Sequence, residues 1–117
     1  MKNLSEKMQK LDSLITLEQV YSRLLTVRNV NIICSKPYGF ELFFLLFKNS
    51  TIDNDCGIED TFDAIKYNRC TRPAFINFIN YLEFQGIIYR TKSKIKKNKV
   101  LLRLHRTTII EVNKIID

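Results

Sequence analysis

Residues 71–106 read TRPAFINFINYLEFQGIIYRTKSKIKKNKVLLRLHR, and the reading of every other segment depends on this one. Thr71 can accept a hydrogen bond from a first-turn N–H of a helix, and Pro73 suits that turn because the N–H it lacks would have no partner there. Phe75, Phe78, Ile79 and Leu82 recur at spacings of three and four, which makes one apolar stripe. Gly86 then offers a residue that readily takes the left-handed conformation closing a helix. Beyond it, residues 87–91 and 100–104 are rich in β-branched and aliphatic side chains, and the segment 92–99 between them holds five lysines, Lys92, Lys94, Lys96, Lys97 and Lys99. The stretch therefore predicts a helix followed by a hairpin with a cationic tip.

Upstream, residues 58–67 place Ile58, Phe62 and Ile65 at spacings of four and three, with Glu59, Asp60 and Asp63 near the positive end of a short helix. Two short helices separated by a turn at 68–70 thus precede the hairpin. Residues 49–57 cluster Ser, Thr, Asp and Asn and read as a loop with room for one short strand at its end. Ser35 and Pro37 suggest a helix start, and 40–47 is apolar nearly all round, so Phe40, Phe43, Phe44 and Phe47 are expected to nucleate the core. Residues 3–28 lack Pro and Gly and repeat Leu, Met, Ile, Val and Tyr at helical spacing from Leu4 to Leu25. A helix of ~25 residues is ~38 Å long, more than so small a body covers, so part of its stripe is expected to lie against a second copy of the chain. Ile109, Val112, Ile115 and Ile116 put a closing helix over 107–116, packed back beside the first.

The fold expected is mainly α with a small β-hairpin, one domain over 1–117. Residues 1–30 would be the dimerisation helix, 36–106 the core and 107–117 the closing helix at the dimer interface. The net charge of +7 is less telling than its placement: residues 1–65 carry seven Lys and Arg against nine Asp and Glu, whereas 66–117 carry twelve against three. An AT-rich genome would enrich lysine in both halves alike. The asymmetry instead points to a basic face that meets a polyanion.

Helices fit the major groove of a duplex, where Asn and Arg match the edges of adenine and guanine, so Arg72, Asn77 and Asn80 are the candidate base readers. Arg69, Thr71, Ala74 and Tyr81 share that face or its edge, and Lys92, Lys94, Lys96, Lys97 and Lys99 would meet phosphates or the adjacent minor groove. The spacing of Phe75, Phe78, Ile79 and Leu82, followed by Gly86-Ile87-Ile88-Tyr89-Arg90, resembles the recognition helix and strand of MarR-type winged helix-turn-helix proteins, and the layout with a long first helix is similar to the SarA-like regulators. The resemblance covers roughly 36–106. It implies a homodimeric transcription regulator that binds double-stranded DNA sequence-specifically. Those families carry an Asp and Arg pair in the wing, where this chain has Lys96, Lys97 and Asn98. The run 99–114 also looks like the end of TubR-type centromere-binding proteins of plasmids and phages, which would imply a partition adaptor that recruits a filament-forming GTPase. A third reading is an interaction module whose lysines bind an acidic protein.

No enzyme is expected, since His105 is the only histidine and no acid-base or nucleophile set stands out. No metal or other cofactor is expected either, because Cys34, Cys56 and Cys70 lie at long spacings and Asp53, Asp55, Glu59 and Asp60 lack the glycine and terminal glutamate of a calcium loop. A redox role for Cys70 would need its thiol to be activated by Arg69 and Arg72. The longest apolar run, 42–47, is far short of the ~20 residues that span a bilayer, so no membrane partner and a cytoplasmic location are expected.

Overall fold

The computed structural model describes residues 3–117. Its elements are α1 (Leu4–Leu24), α2 (Arg28–Ile33), α3 (Gly39–Ile52), α4 (Ile58–Ala64), α5 (Arg72–Phe84), β1 (Ile88–Lys92), β2 (Val100–Leu104) and α6 (Arg106–Ile116).

The capping chemistry of α5 follows the sequence closely. The Thr71 hydroxyl accepts from the Ala74 N–H at 3.3 Å, Pro73 sits in the first turn, and Gly86 closes the helix at φ 74° while the Ile87 N–H bonds back to the Leu82 carbonyl at 3.0 Å. Phe75, Phe78, Ile79 and Leu82 are all buried. β1 and β2 pair antiparallel from Ile88 opposite Leu104 to Lys92 opposite Val100. Leu102 and Leu104 turn into the core beneath α3, Leu101 and Arg103 are buried on the opposite face of β2, and β1 past Ile88 is exposed. The short strand expected near Gly57 is a single bridge to Leu101.

Three local expectations are corrected. Residues 3–28 do not form one helix: α1 stops at Leu24, and α2 begins at Arg28 in a new direction. Neither Gly nor Pro marks the break. The Thr26 hydroxyl donates to the Arg23 carbonyl at 2.6 Å and the Asn31 amide donates to the Leu25 carbonyl at 3.1 Å, so side chains take over the backbone acceptors that a longer helix would have used. The bend lets Leu24, Val27, Val30 and Ile33 all reach the core.

The second correction concerns α3. Its inward face is Leu42, Phe43 and Leu46, with Phe47 partly covered, while Phe40 is 42% and Phe44 60% exposed. An all-apolar helix gives no phase from its own sequence, and the neighbours alone decide which side turns in. Third, α3 continues through 49–52, which the polar cluster predicted as loop. Ser50 explains the extension: its hydroxyl donates to the Leu46 carbonyl at 2.7 Å and accepts the Leu104 N–H at 2.9 Å, which ties α3 to β2. The helix ends only at Asp53, in left-handed conformation at φ 50°.

The closing helix packs beside α1 as expected, with the Arg23 guanidinium donating to the Ile115 carbonyl at 3.0 Å. Its inward residues are Thr108 and Val112; Ile109 and Ile115 are partly covered and Ile116 is 49% exposed. His105 is structural, its ring nitrogen accepting from the Thr107 N–H at the start of α6. Among the described residues no helix is long and apolar enough to cross a membrane, and no group of three or more His, Cys, Asp or Glu could hold a metal ion.

Candidate nucleic-acid interface

The outer face of α5 is set by the stripe that it buries. With Phe75, Phe78, Ile79 and Leu82 inward, helical geometry leaves Ala74, Asn77, Asn80 and Tyr81 outward, and all four are exposed. The Tyr81 ring lies 6.1 Å from that of Phe78 and nearly parallel to it, which orients the phenol along the surface. Beside this face runs an open groove of about 600 Å³ lined by Ser35, Lys36, Tyr38, Ala74, Asn77 and Tyr81. Lys36 holds its ammonium 5.5 Å from the centre of the Phe78 ring. Ser35 and Lys36 have no place in the sequence reading of the site, because the turn before α3 comes next to α5 only through tertiary packing.

The turn between α4 and α5 is held by a residue that sequence reasoning also passed over. Glu41, on α3, accepts the backbone N–H groups of Lys66 (2.9 Å), Tyr67 (3.1 Å) and Asn68 (3.1 Å). These hydrogen bonds, led by the one from Lys66, pull the carboxyl below its usual range. A lone acid within an apolar helix is the only signal that could have singled it out. Tyr38 supports the same region from beneath: burial first, and its contact with Cys70 second, push the phenol up to about 12, so it remains neutral beside the start of α5.

The candidate readers differ in how free they are. Asn77 is exposed with no side-chain hydrogen bond among the described residues. Arg72 is instead bonded through its guanidinium to Glu59 of α4, which raises its pKa further. Asn80 accepts from Arg90 at 2.8 Å, and Arg90 in turn pairs with Glu83 at 3.0 Å. Arg69 lies 4.7 Å over the Phe62 ring and donates to the Ile65 carbonyl at 2.8 Å. With Arg69 and Arg72 engaged elsewhere, neither is directed at the Cys70 thiol.

Lys99 stands apart from the other wing lysines. Its ammonium pairs with Asp60 at 2.9 Å and Asp55 at 3.6 Å, and the Asp60 hydrogen bond is the main reason its pKa rises. Asp60 is lowered, first by the Gly57 N–H and then by Lys99. Arg103, nearly fully buried, donates to Asp53 at 3.2 Å and to the Asn54 carbonyl. The acids of 53–60, expected to be a solvated loop and helix end, are therefore the counter-charges of the wing base and of Arg72. Lys92, Lys94, Lys96 and Lys97 are exposed and make no ion pair among the described residues. Lys66, Arg106 and Lys114 are likewise exposed without an ion pair, but each stands alone, so the wing holds the one cluster of free positive charge in the second half among the described residues.

Two consecutive short helices, the second with an open polar face, followed at once by a two-stranded wing, define a winged helix-turn-helix. Two solved structures share this arrangement over 99% of the chain. One is a mutant of MepR from a multidrug-resistant S. aureus clinical isolate, with a TM-score of 0.58, 17% identity and 76% of that chain covered. The other is the heme sensor protein PefR from Streptococcus agalactiae, in complex with heme, with a TM-score of 0.53, 18% identity and 75% covered. The fold is accordingly a winged helix of MarR type. No protein-family model matches the chain, and neither does any curated protein.

Proposed function

We propose that the chain binds double-stranded DNA as a homodimer, with α5 in the major groove and the wing on phosphates or the adjacent minor groove, and that it acts as a transcription regulator. The observation that carries this reading is the distribution of unpaired charge. Arg72, Arg90, Lys99 and Arg103 are matched by carboxylates, whereas Lys92, Lys94, Lys96 and Lys97 make no ion pair among the described residues. Unpaired cations occur singly elsewhere, as at Lys66, Arg106 and Lys114, but four within six residues on one projecting turn make a concentrated field suited to a polyanion. The exposed Ala74, Asn77 and Tyr81 supply a helix face of the size a major groove admits. Arg72 and Asn80 can join it by exchanging exposed partners for phosphate or base, since solvent-facing pairs of this kind are held weakly. The MarR-type fold, which MepR and PefR share, agrees with this reading.

Each phosphate contact releases condensed counterions, so binding should weaken with salt at a log-log slope of about −0.9 per contact. Lys94→Ala, Lys96→Ala and Lys97→Ala together are expected to flatten that slope by about two to three units, read by fluorescence anisotropy on one duplex from low to moderate salt. An unchanged slope removes the wing from the interface. Failure of the wild-type chain to hold any duplex at low salt sinks the whole reading and favours an acidic protein as the wing's partner.

A further inference from the structure

Ile95 is 80% exposed at the tip of the most cationic turn in the molecule, between Lys94 and the Lys96-Lys97 pair. Single exposed aliphatic residues are common and by themselves mean little. Here the backbone that carries the side chain is fastened in place, and the side chain stands at the edge of a groove of about 350 Å³ that Lys92, Lys94 and Tyr89 also line. The N–H groups of Ile95 and Lys96 both donate to the Ser93 hydroxyl oxygen, at 3.1 and 2.9 Å, and that hydroxyl donates to Asp55. The Ser93 N–H bonds to the Lys99 carbonyl at 2.9 Å, Asn98 turns the chain at φ 69°, and Lys99 is pinned to Asp60 and Asp55. The tip is thus fastened to the loop before α4, and its one apolar side chain faces solvent.

We infer that Ile95 is a wedge that enters the minor groove and partly unstacks a base step, so that the bound duplex is bent. This rests on the duplex-binding reading above. Apolar side chains inserted between base steps, flanked by cations on the phosphates, are how minor-groove binders kink DNA, by about 20–90°. A wedge must not yield when pushed, which is what the Ser93 and Lys99 anchoring provides. A membrane surface is the other polyanion that a lysine-rich tip with an apolar residue could meet. One isoleucine is too little for it, since even a whole myristoyl chain binds a bilayer only marginally.

The test uses a duplex of about 30 base pairs, long enough to show a bend, enriched from a random pool by the wild-type chain and dye-labelled at both ends for energy transfer. Wild type should bend it by at least about 20°. Ile95→Ala should abolish the bend and weaken binding about tenfold, with the salt slope unchanged because no charge is lost. Ile95→Leu should restore the bend, and neither substitution should shift the melting temperature of the protein. Binding by wild type without a bend, or an equal bend in Ile95→Ala, overturns the wedge but leaves duplex binding intact. Failure to enrich any duplex overturns the duplex-binding reading itself. Sedimentation of wild type but not Ile95→Ala with phosphatidylserine vesicles, with no bend in DNA, would assign the tip to a membrane and also overturn the wedge.

Discussion

Two glycines show how differently one residue type can be constrained. Gly86 has φ 74° and open space around the position a Cβ would occupy, so its constraint is conformational. Gly39 has ordinary dihedrals, but a Cβ there would lie 2.6 Å from the Cys34 Cα and closer still to the Ile33 carbonyl. Backbone on both sides cannot move aside as a side chain would. Gly86→Ala is expected to cost about 1 kcal/mol, from left-handed strain alone, and Gly39→Ala at least about 2 kcal/mol, from overlap where α2 meets α3. Urea unfolding of the two variants checks this, and the reverse order would show that the α2–α3 junction gives way. At the same scale, Glu41 acts only when ionised. Its carboxyl is depressed in the folded chain, so its contribution is complete above the unfolded pKa, near 4.5, and is lost as pH falls through the lower folded value. Wild type should therefore exceed Glu41→Gln in urea midpoint at about pH 7, with the gap closing towards about pH 3. A gap that persisted undiminished in acid would mean that Gln reads the three N–H groups differently, not that charge matters.

The elements with the clearest start and stop chemistry are the ones that fold as their sequence indicates. α5 has a hydroxyl cap, a first-turn proline, a four-residue stripe and a closing glycine, all local, and each does locally what its residue type predicts. β2 keeps its expected bounds for the same reason, with a hairpin turn on one side and the His105 cap on the other. α1 and α3 differ from their sequence reading in extent or phase. The end of α1 depends on Thr26 and Asn31 reaching carbonyls, and the end of α3 on Ser50 meeting a strand more than fifty residues away. Polar side chains of this kind read as loop until a tertiary partner engages them.

At the level of the whole molecule, α1 presents a row that the chain itself does not cover. Leu4, Met8, Leu11, Leu14 and Leu17 are each more than half exposed, on a body whose longest dimension is 56 Å against 29 and 27 Å. A lone soluble protein rarely shows so large a contiguous apolar row, and a two-fold partner offering the same row would bury it. The wild-type chain is expected to sediment as a dimer at micromolar concentration, and Leu11→Asp as a monomer with its helical content largely kept. A two-fold dimer would meet two half-sites about 34 Å apart on the duplex, and a wild-type monomer under those conditions removes both the dimer and that spacing.

The amino-acid sequence alone determined the order of the elements from α3 onward, the buried stripe of α5, the hairpin and the crowding of lysine at its turn. Each of these rests on interactions between residues a few positions apart, which periodicity and capping chemistry record directly. Tertiary structure decided which cations remain free. Glu59, Asp60 and Asp53 lie 13 to 50 residues from Arg72, Lys99 and Arg103, and a count of charge along the chain holds no information about which of them meet. It likewise decided that Phe40 and Phe44 face outward, and that Glu41 holds the turn before α5. Coulombic attraction and burial depend on distance in space, and only the folded chain sets that distance.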